Sequence, residues 1–309
     1  MTEAETPMGH ALELPGENGV LSTHPDLSYR MGLYTWTVTT RNNQSTYTVT
    51  DGKGSLSATI QWAFGVYAQT WVLERNGRYF ESLVSFYPAL DGLAITIGDE
   101  RIRPQTLDQA LGAELSAQAA RECFGCHASD AVSGRDLTLA TLHAGVTCEH
   151  CHRGSLAHAA DAAEANFATA PPHLKDLPAE SLNHFCGQCH RSWDTVVRNR
   201  WLGPVNLRFQ PYRLENSRCF DGADPRISCL GCHNPHQNLV HDETYYDGKC
   251  LACHAAGAKP TSNGQGKTCP VAKAKCASCH MPKLEAPGAH QKFTDHEIRI
   301  VRANEPYPN

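Results

Sequence analysis

From Tyr29 onward, apolar and polar residues alternate with a period of two, which is the pattern of strands with one buried face. Six segments rich in Thr, Val, Tyr and Trp predict strands: 29–41, 46–50, 56–64, 66–74, 79–87 and 93–97. Asn42-Asn43, Asp51-Gly52, Asn76-Gly77 and Asp91-Gly92 lie between segments and suit tight reversals, so the sheet is expected to be antiparallel. Trp36, Trp62, Trp71, Phe80 and Tyr87 are expected to fill its core or cover its face. Residues 1–28 are polar and punctuated by Pro7, Pro15, Gly16, Gly19 and Pro25, and read as an arm with no core of its own.

Beyond residue 105 the alternation ends. Thr106–Arg121 is rich in Ala and Leu, with Leu107, Leu111 and Leu115 at helical spacing, and predicts a helix running into Cys123. A short helix is expected over Ser155–Phe167, a helical turn from Pro178 after Pro171-Pro172, and a break at Lys259-Pro260. A short strand is expected over Glu297–Val301. The fold class expected is α+β, in three parts: an arm (1–28), a small antiparallel β domain (29–105), and a mostly helical, irregular domain (106–309). No apolar run reaches the length of a membrane span, and Met1–Gly16 lacks the basic and apolar regions of a secretion signal.

Cysteine spacing changes the picture of the third part. Cys-x-x-Cys-His occurs six times: Cys123-Cys126-His127, Cys148-Cys151-His152, Cys186-Cys189-His190, Cys229-Cys232-His233, Cys250-Cys253-His254 and Cys276-Cys279-His280. In this motif the two thiols add to the haem vinyl groups and the adjacent His reaches the iron, so six c-type haems are implied. With His at 17 of 309 positions, six pairs each followed by His would arise by chance about once in thirty million. Structural zinc would use the pairs as S4 centres without requiring His after each. A thioredoxin-type redox pair normally occurs once. The six first cysteines are separated by 25, 38, 43, 21 and 26 residues, which excludes a regular solenoid repeat. A region so poor in apolar runs is expected to use porphyrin as its core and to be unfolded without it.

Six histidines are then proximal ligands and eleven of the 17 remain. Bis-histidine ligation explains the surplus, and the second ligand decides between electron transfer and substrate binding. His158, His236, His290 and His296 lead as distal ligands; His24, His143 and His184 follow. His150 lies inside its own motif and is expected to point away, while His10, His173 and His241 read as exposed or beside propionates. Met281 directly follows a proximal His, which is poor geometry for that iron, and Met8 and Met31 are weaker options. Cys219 and Cys269 lie outside the motifs; a disulfide between them is expected, with two free thiols as the alternative. Between His190 and Cys229 stand seven arginines (191, 198, 200, 208, 213, 218 and 226) against four acidic residues, suited either to haem propionates or to a solvated face. The net charge of -5 argues against nucleic acid.

Cys148-Glu149-His150-Cys151-His152 with His158, Phe185–His190, Cys229–His233 followed by Asn234-Pro235-His236, and Cys279-His280-Met281-Pro282-Lys283 with Phe293-Thr294-Asp295-His296 resemble multihaem c-type cytochromes of bacterial respiratory chains. They are similar to cytochrome c554 and other multihaem electron carriers, within the wider relatives of pentahaem nitrite reductase and octahaem hydroxylamine oxidoreductase. The strand-rich segment resembles the haem-free domain that precedes the haem run in some members. The resemblance implies that His236 and His296 are distal ligands. Nitrite reductases carry a Cys-x-x-Cys-Lys haem, whereas all six motifs here end in His. The expected function is therefore electron transfer by an extracytoplasmic, periplasmic or extracellular hexahaem cytochrome acting on redox protein partners, with stacking into a homo-polymer as a variant. The alternative is an oxidoreductase with one five-coordinate haem acting on a small nitrogen or sulfur oxyanion.

Overall fold

A computed structural model describes residues 3–166, 168, 170–171, 173–259, 267–302, 305 and 307. Phe167, Pro172 and Pro260, invoked above, lie outside the described residues. The fold is mixed α+β, and the chain divides into two compact units: residues 1–171 with 288–290, and residues 172–287 with 291–309.

The first unit is built on an antiparallel sheet. Its strands are β1 (Leu12–Glu13), β2 (Asp26–Met31), β3 (Tyr34–Arg41), β4 (Gln44–Thr50), β5 (Ser55–Phe64), β6 (Thr70–Arg75), β7 (Arg78–Ser82) and, after a separate pair β8 (Val84–Tyr87) and β9 (Gly92–Ile95), β10 (Gly112–Glu114). The order is β10-β7-β6-β5-β4-β3-β2, with β1 paired to the end of β5. Alternation does what it should: Trp36, Val38, Tyr47, Val49, Ile60, Trp71 and Leu73 turn to one face and are buried. Each such side chain contributes about 1.5–3 kcal/mol on leaving water. Trp36 closes the core by donating its indole N–H to the Ala110 carbonyl at 2.7 Å. Trp62 and Phe80 are only partly buried and cover the sheet.

Several expectations are corrected here. The segment 29–41 is two strands, because Gly32 takes a positive φ of 59° and the chain reverses so that Met31 pairs with Tyr34. The strand expected over 66–74 begins only at Thr70, and that over 79–87 breaks at Leu83, whose N–H turns to the Leu111 carbonyl. The arm 1–28 is not coreless: helix α1 (Gly19–Thr23), capped by Asn18, buries Leu21 in the main core, and β1 buries Leu12.

The helix expected over 106–121 is also two elements, α2 (Leu107–Leu111) and α3 (Ala117–His127), with β10 between them. A Cβ on Gly112 would run into the Glu81 carbonyl; glycine lets the chain leave the helix and pair with β7. No division falls at residue 105, because α3 belongs to the β unit. Phe124 stands edge-on to Trp62 at 5.0 Å and to Phe64 at 5.1 Å. Helices α4 (Cys148–Cys151) and α5 (Ser155–Ala163) complete this unit, the latter ending short of the expected Phe167.

The second unit contains α6 (Ala179–His190), α7 (Trp193–Asn199), α8 (Gln210–Glu215), α9 (Cys229–Cys232), α10 (Glu243–His254) and α11 (Cys276–His280). No strand forms over Glu297–Val301. The backbone there is used otherwise: Ile298 donates to Ser217 Oγ at 2.8 Å and Arg299 to the His280 carbonyl at 3.2 Å. A short ladder joins Lys283–Glu285 to Lys292–Thr294 instead. The apolar core of this unit is slight, a cluster of Val196, Phe209 and Tyr212 with Trp201 against it. Large apolar side chains stay in water, among them Leu202 at 58% and Val271 at 89% exposure. Its firmest feature is polar. Arg213 and Asp295 are both wholly buried and meet through two bonds of 2.9 Å, with Glu297 at 2.8 Å from the same guanidinium and Arg299 on the Asp295 carboxylate.

Candidate functional site

All six Cys-x-x-Cys-His motifs adopt one local conformation. Their cysteines lie on a helical turn (in α3, α4, α6, α9, α10 and α11), and the His is the last helical residue or the residue that caps it. Cysteines three apart on a helix share a face, and the His four residues after the first cysteine joins them on it. The residues between the cysteines differ in every motif, so the shared geometry follows the Cys and His positions.

Three of the motif histidines share one hydrogen-bonding arrangement. Nδ1 bonds a main-chain carbonyl in His127 (Ala11, 2.8 Å), His254 (Lys267, 2.9 Å) and His280 (Arg299, 2.8 Å). An Nδ1–H donated to a carbonyl fixes the tautomer and leaves the Nε2 lone pair for a metal. In the first motif the residue just before β1 supplies the carbonyl, and Phe64 of β5 packs edge-on against the His127 ring at 5.3 Å.

One further pairing brings a proximal His to an expected distal ligand. The ring centres of His233 and His296 lie 6.2 Å apart, with the ring planes tilted by 43°. Two imidazoles on opposite sides of one metal, each nitrogen about 2 Å from it, would place ring centres about 6–6.5 Å apart. Nδ1 of His296 bonds the Thr294 carbonyl at 2.9 Å, so Nε2 is the nitrogen left for a metal. Burial, reinforced by the neighbouring His233, pushes the His296 pKa down to about 4, so the ring is neutral and ligand-ready at neutral pH. Burial likewise lowers His233. The Arg213–Asp295 pair anchors the residue before His296 in the chain.

The other expected ligands are placed as follows. His290, exposed and at a positive φ of 54°, lies in the first unit with its ring 4.7 Å from Tyr87. His24 packs on Phe86, and its ring nitrogens meet the Val20 carbonyl and, at 2.9 Å, Asp91. His143 pairs with Asp130 at 3.3 Å, and His10 with Glu13 at 2.6 Å. His158 stands on α5, half-buried; His236, His184 and His241 are exposed. His150 is partly buried, which lowers its pKa.

The expected disulfide between Cys219 and Cys269 is not formed; both are free thiols. Burial raises the pKa of the Cys219 thiol, whereas the Cys269 sulfur accepts N–H groups of Ala272 and Val271 in its own loop, which lowers its pKa. Of the seven arginines, Arg213 is spent on Asp295, Arg226 on Asp224, and Arg191 lies over Trp201 at 5.1 Å.

Among the described residues, no three His, Cys, Asp or Glu side chains converge as a metal-ligand cluster. Each motif presents two sulfurs and one imidazole on one helical face, and in the second unit exposed apolar side chains surround a meagre core. Also among the described residues, no helix is long and apolar enough to cross a membrane. Compared with protein-family models, characterised proteins and solved structures, the chain matches none of them.

One carboxyl in the second unit gives a pH test. Burial first, then the charges of Glu180 and Asp194, raise Glu215 from 4.5 to about 7. The folded state therefore binds a proton that the unfolded chain has released, and stability falls as pH rises from about 4.5 to about 7. Glu215→Gln should remove that fall and gain about 1–2 kcal/mol above pH 7, discounted for solvent screening. Denaturant unfolding of the two proteins at pH 5 and pH 8 checks this.

Proposed function

We propose that this protein is an extracytoplasmic hexahaem c-type cytochrome that passes electrons between redox partners. The observation that supports the reading is the His233–His296 pair beside a Cys-x-x-Cys-His turn, with ring centres 6.2 Å apart, a spacing at which both could hold one iron. Two neutral imidazoles saturate an iron and leave no position for substrate, which favours transfer over catalysis.

When bound, c-type haem supplies reversible one-electron exchange at iron. The chain's own residues do the rest. Cys123/Cys126, Cys148/Cys151, Cys186/Cys189, Cys229/Cys232, Cys250/Cys253 and Cys276/Cys279 would hold the group by thioethers, and His127, His152, His190, His233, His254 and His280 would bind its iron. Ala11, Lys267 and Arg299 orient three of those rings through their carbonyls. The haem-free β sheet gives the first motif a rigid seat. Exposed Leu202, Leu239, Val240 and Val271 are the apolar surface that a large planar group would take out of water.

Electron paramagnetic resonance and absorption spectra of the purified holoprotein test the assignment to transfer. Low-spin haem throughout is expected. A substantial high-spin ferric signal that shifts on adding nitrite or sulfite would instead assign the protein to oxyanion chemistry.

A further inference from the structure

The second unit uses one device twice. Asn183 stands on α6 three residues before Cys186, and its Oδ1 accepts the backbone N–H of Cys229 at 3.2 Å and the Cys229 thiol at 3.1 Å. Asp247 stands on α10 three residues before Cys250. Its carboxylate accepts the backbone N–H of Cys276 at 2.8 Å and of Lys275 at 2.7 Å. In both places a side chain three residues before the first cysteine of one motif caps the first cysteine of the next.

The two junctions agree in another respect. Each bond ties the helical turn before the first cysteine of one motif directly to the first cysteine of the next. Both Asn183 and Asp247 are buried. The helices they cap, α9 and α11, have four and five residues, too few to hold their conformation alone. At α11 the local cap position is Lys275 in the left-handed region, with no side-chain capping bond, so Asp247 provides what the helix lacks. Asn183 keeps its Nδ2 buried without a partner, a donor aimed into the junction of the third and fourth motifs. The first two motifs have Ala120 and Gly145 at the same offset, which cannot make this bond.

We propose that Asn183 and Asp247 are positioning residues that build two equivalent haem pairs, motif three with four and motif five with six. The inference rests on the haem reading above. A bond from one helical turn before one first cysteine to the next first cysteine would tether the two porphyrins of a pair from neighbouring points. Their irons would then lie close enough for each to perturb its partner's magnetic signal and potential.

The test uses full-length holoprotein, with haem number fixed first by intact mass. The wild type should carry six haems, four of them in two magnetically coupled pairs, seen as broadened or missing resonance intensity against the spin count expected for six isolated centres. Asp247→Ala should release one pair, adding two isolated low-spin signals and shifting two of the six potentials, while Asp247→Asn, which keeps an acceptor oxygen, should behave as wild type. Asn183→Ala should do the same to the other pair, with Asn183→Asp as its rescue. Six isolated haems in the wild type would overturn the proposal, and so would alanine variants with six haems and unchanged spectra and titrations. Should the alanine variants not accumulate, the wild-type spin count decides alone. Fewer than six haems in the wild type would instead defeat the haem reading on which the pairing stands.

Discussion

Replacing His296 with alanine is expected to leave six haems attached while turning one iron from low-spin to high-spin. On the proposed reading, covalent attachment would depend on Cys229 and Cys232, which the substitution does not touch, so haem number should stay constant. What should change is one face of one iron. The His296 ring centre lies 6.2 Å from that of His233, and Nδ1 is tied to the Thr294 carbonyl. Removing the ring should open that position to water or added ligand. His296→Met should restore a low-spin iron at a higher potential, because thioether ligation favours the reduced state. Ferric spectra with and without added imidazole read both outcomes. Six low-spin haems in the alanine variant would show that His296 does not ligate.

The largest effect on stability is expected at Arg213. Its guanidinium is wholly buried against Asp295, which is wholly buried too, with Glu297 and Arg299 completing a four-charge cluster and Tyr307 lying 4.8 Å over the guanidinium. Breaking such a pair from one side leaves a carboxylate in the interior with part of its compensation gone, a loss of about 3–5 kcal/mol. Arg213→Met should show that loss in denaturant unfolding. Arg213→Lys should fall between, since it keeps the charge but not the two-pronged bond. Pairing Arg213→Met with Asp295→Asn should recover part of the loss, because the buried charge is then gone as well.

Where local periodicity decides structure, the sequence was readable. Alternation of Thr, Val, Tyr and Trp gave the sheet and its buried face, with Trp36, Trp71 and Tyr87 fully enclosed. Turns were harder. The reversal at Gly32 lies in an unbroken run of strand-forming residues, and the exit from α2 at Gly112 depends on the approach of the Glu81 carbonyl, a contact between residues distant in the chain. The arm was misread because two leucines, Leu12 and Leu21, among polar neighbours give no period, yet both are buried.

The candidate site divides along the same line. The Cys-x-x-Cys-His spacing is local and directly visible, and each of the six motifs falls on a helical turn. Ligands and supports from afar are not visible in this way: Arg213 was one of seven arginines, and nothing in the sequence marks Asp295, 82 residues away, as its partner. The carbonyls of Ala11, Lys267 and Arg299 carry no side-chain signal at all. Asn183 and Asp247 did leave one, an Asx three residues before Cys186 and Cys250, visible once the third and fifth motifs are aligned on their first cysteine.

Intact mass spectrometry of protein exported by a host with haem-attachment machinery tests the central claim most directly. The expected result is the polypeptide mass plus six covalently held haems, with a c-type pyridine haemochrome spectrum. Colourless protein at the mass of the bare polypeptide would contradict it.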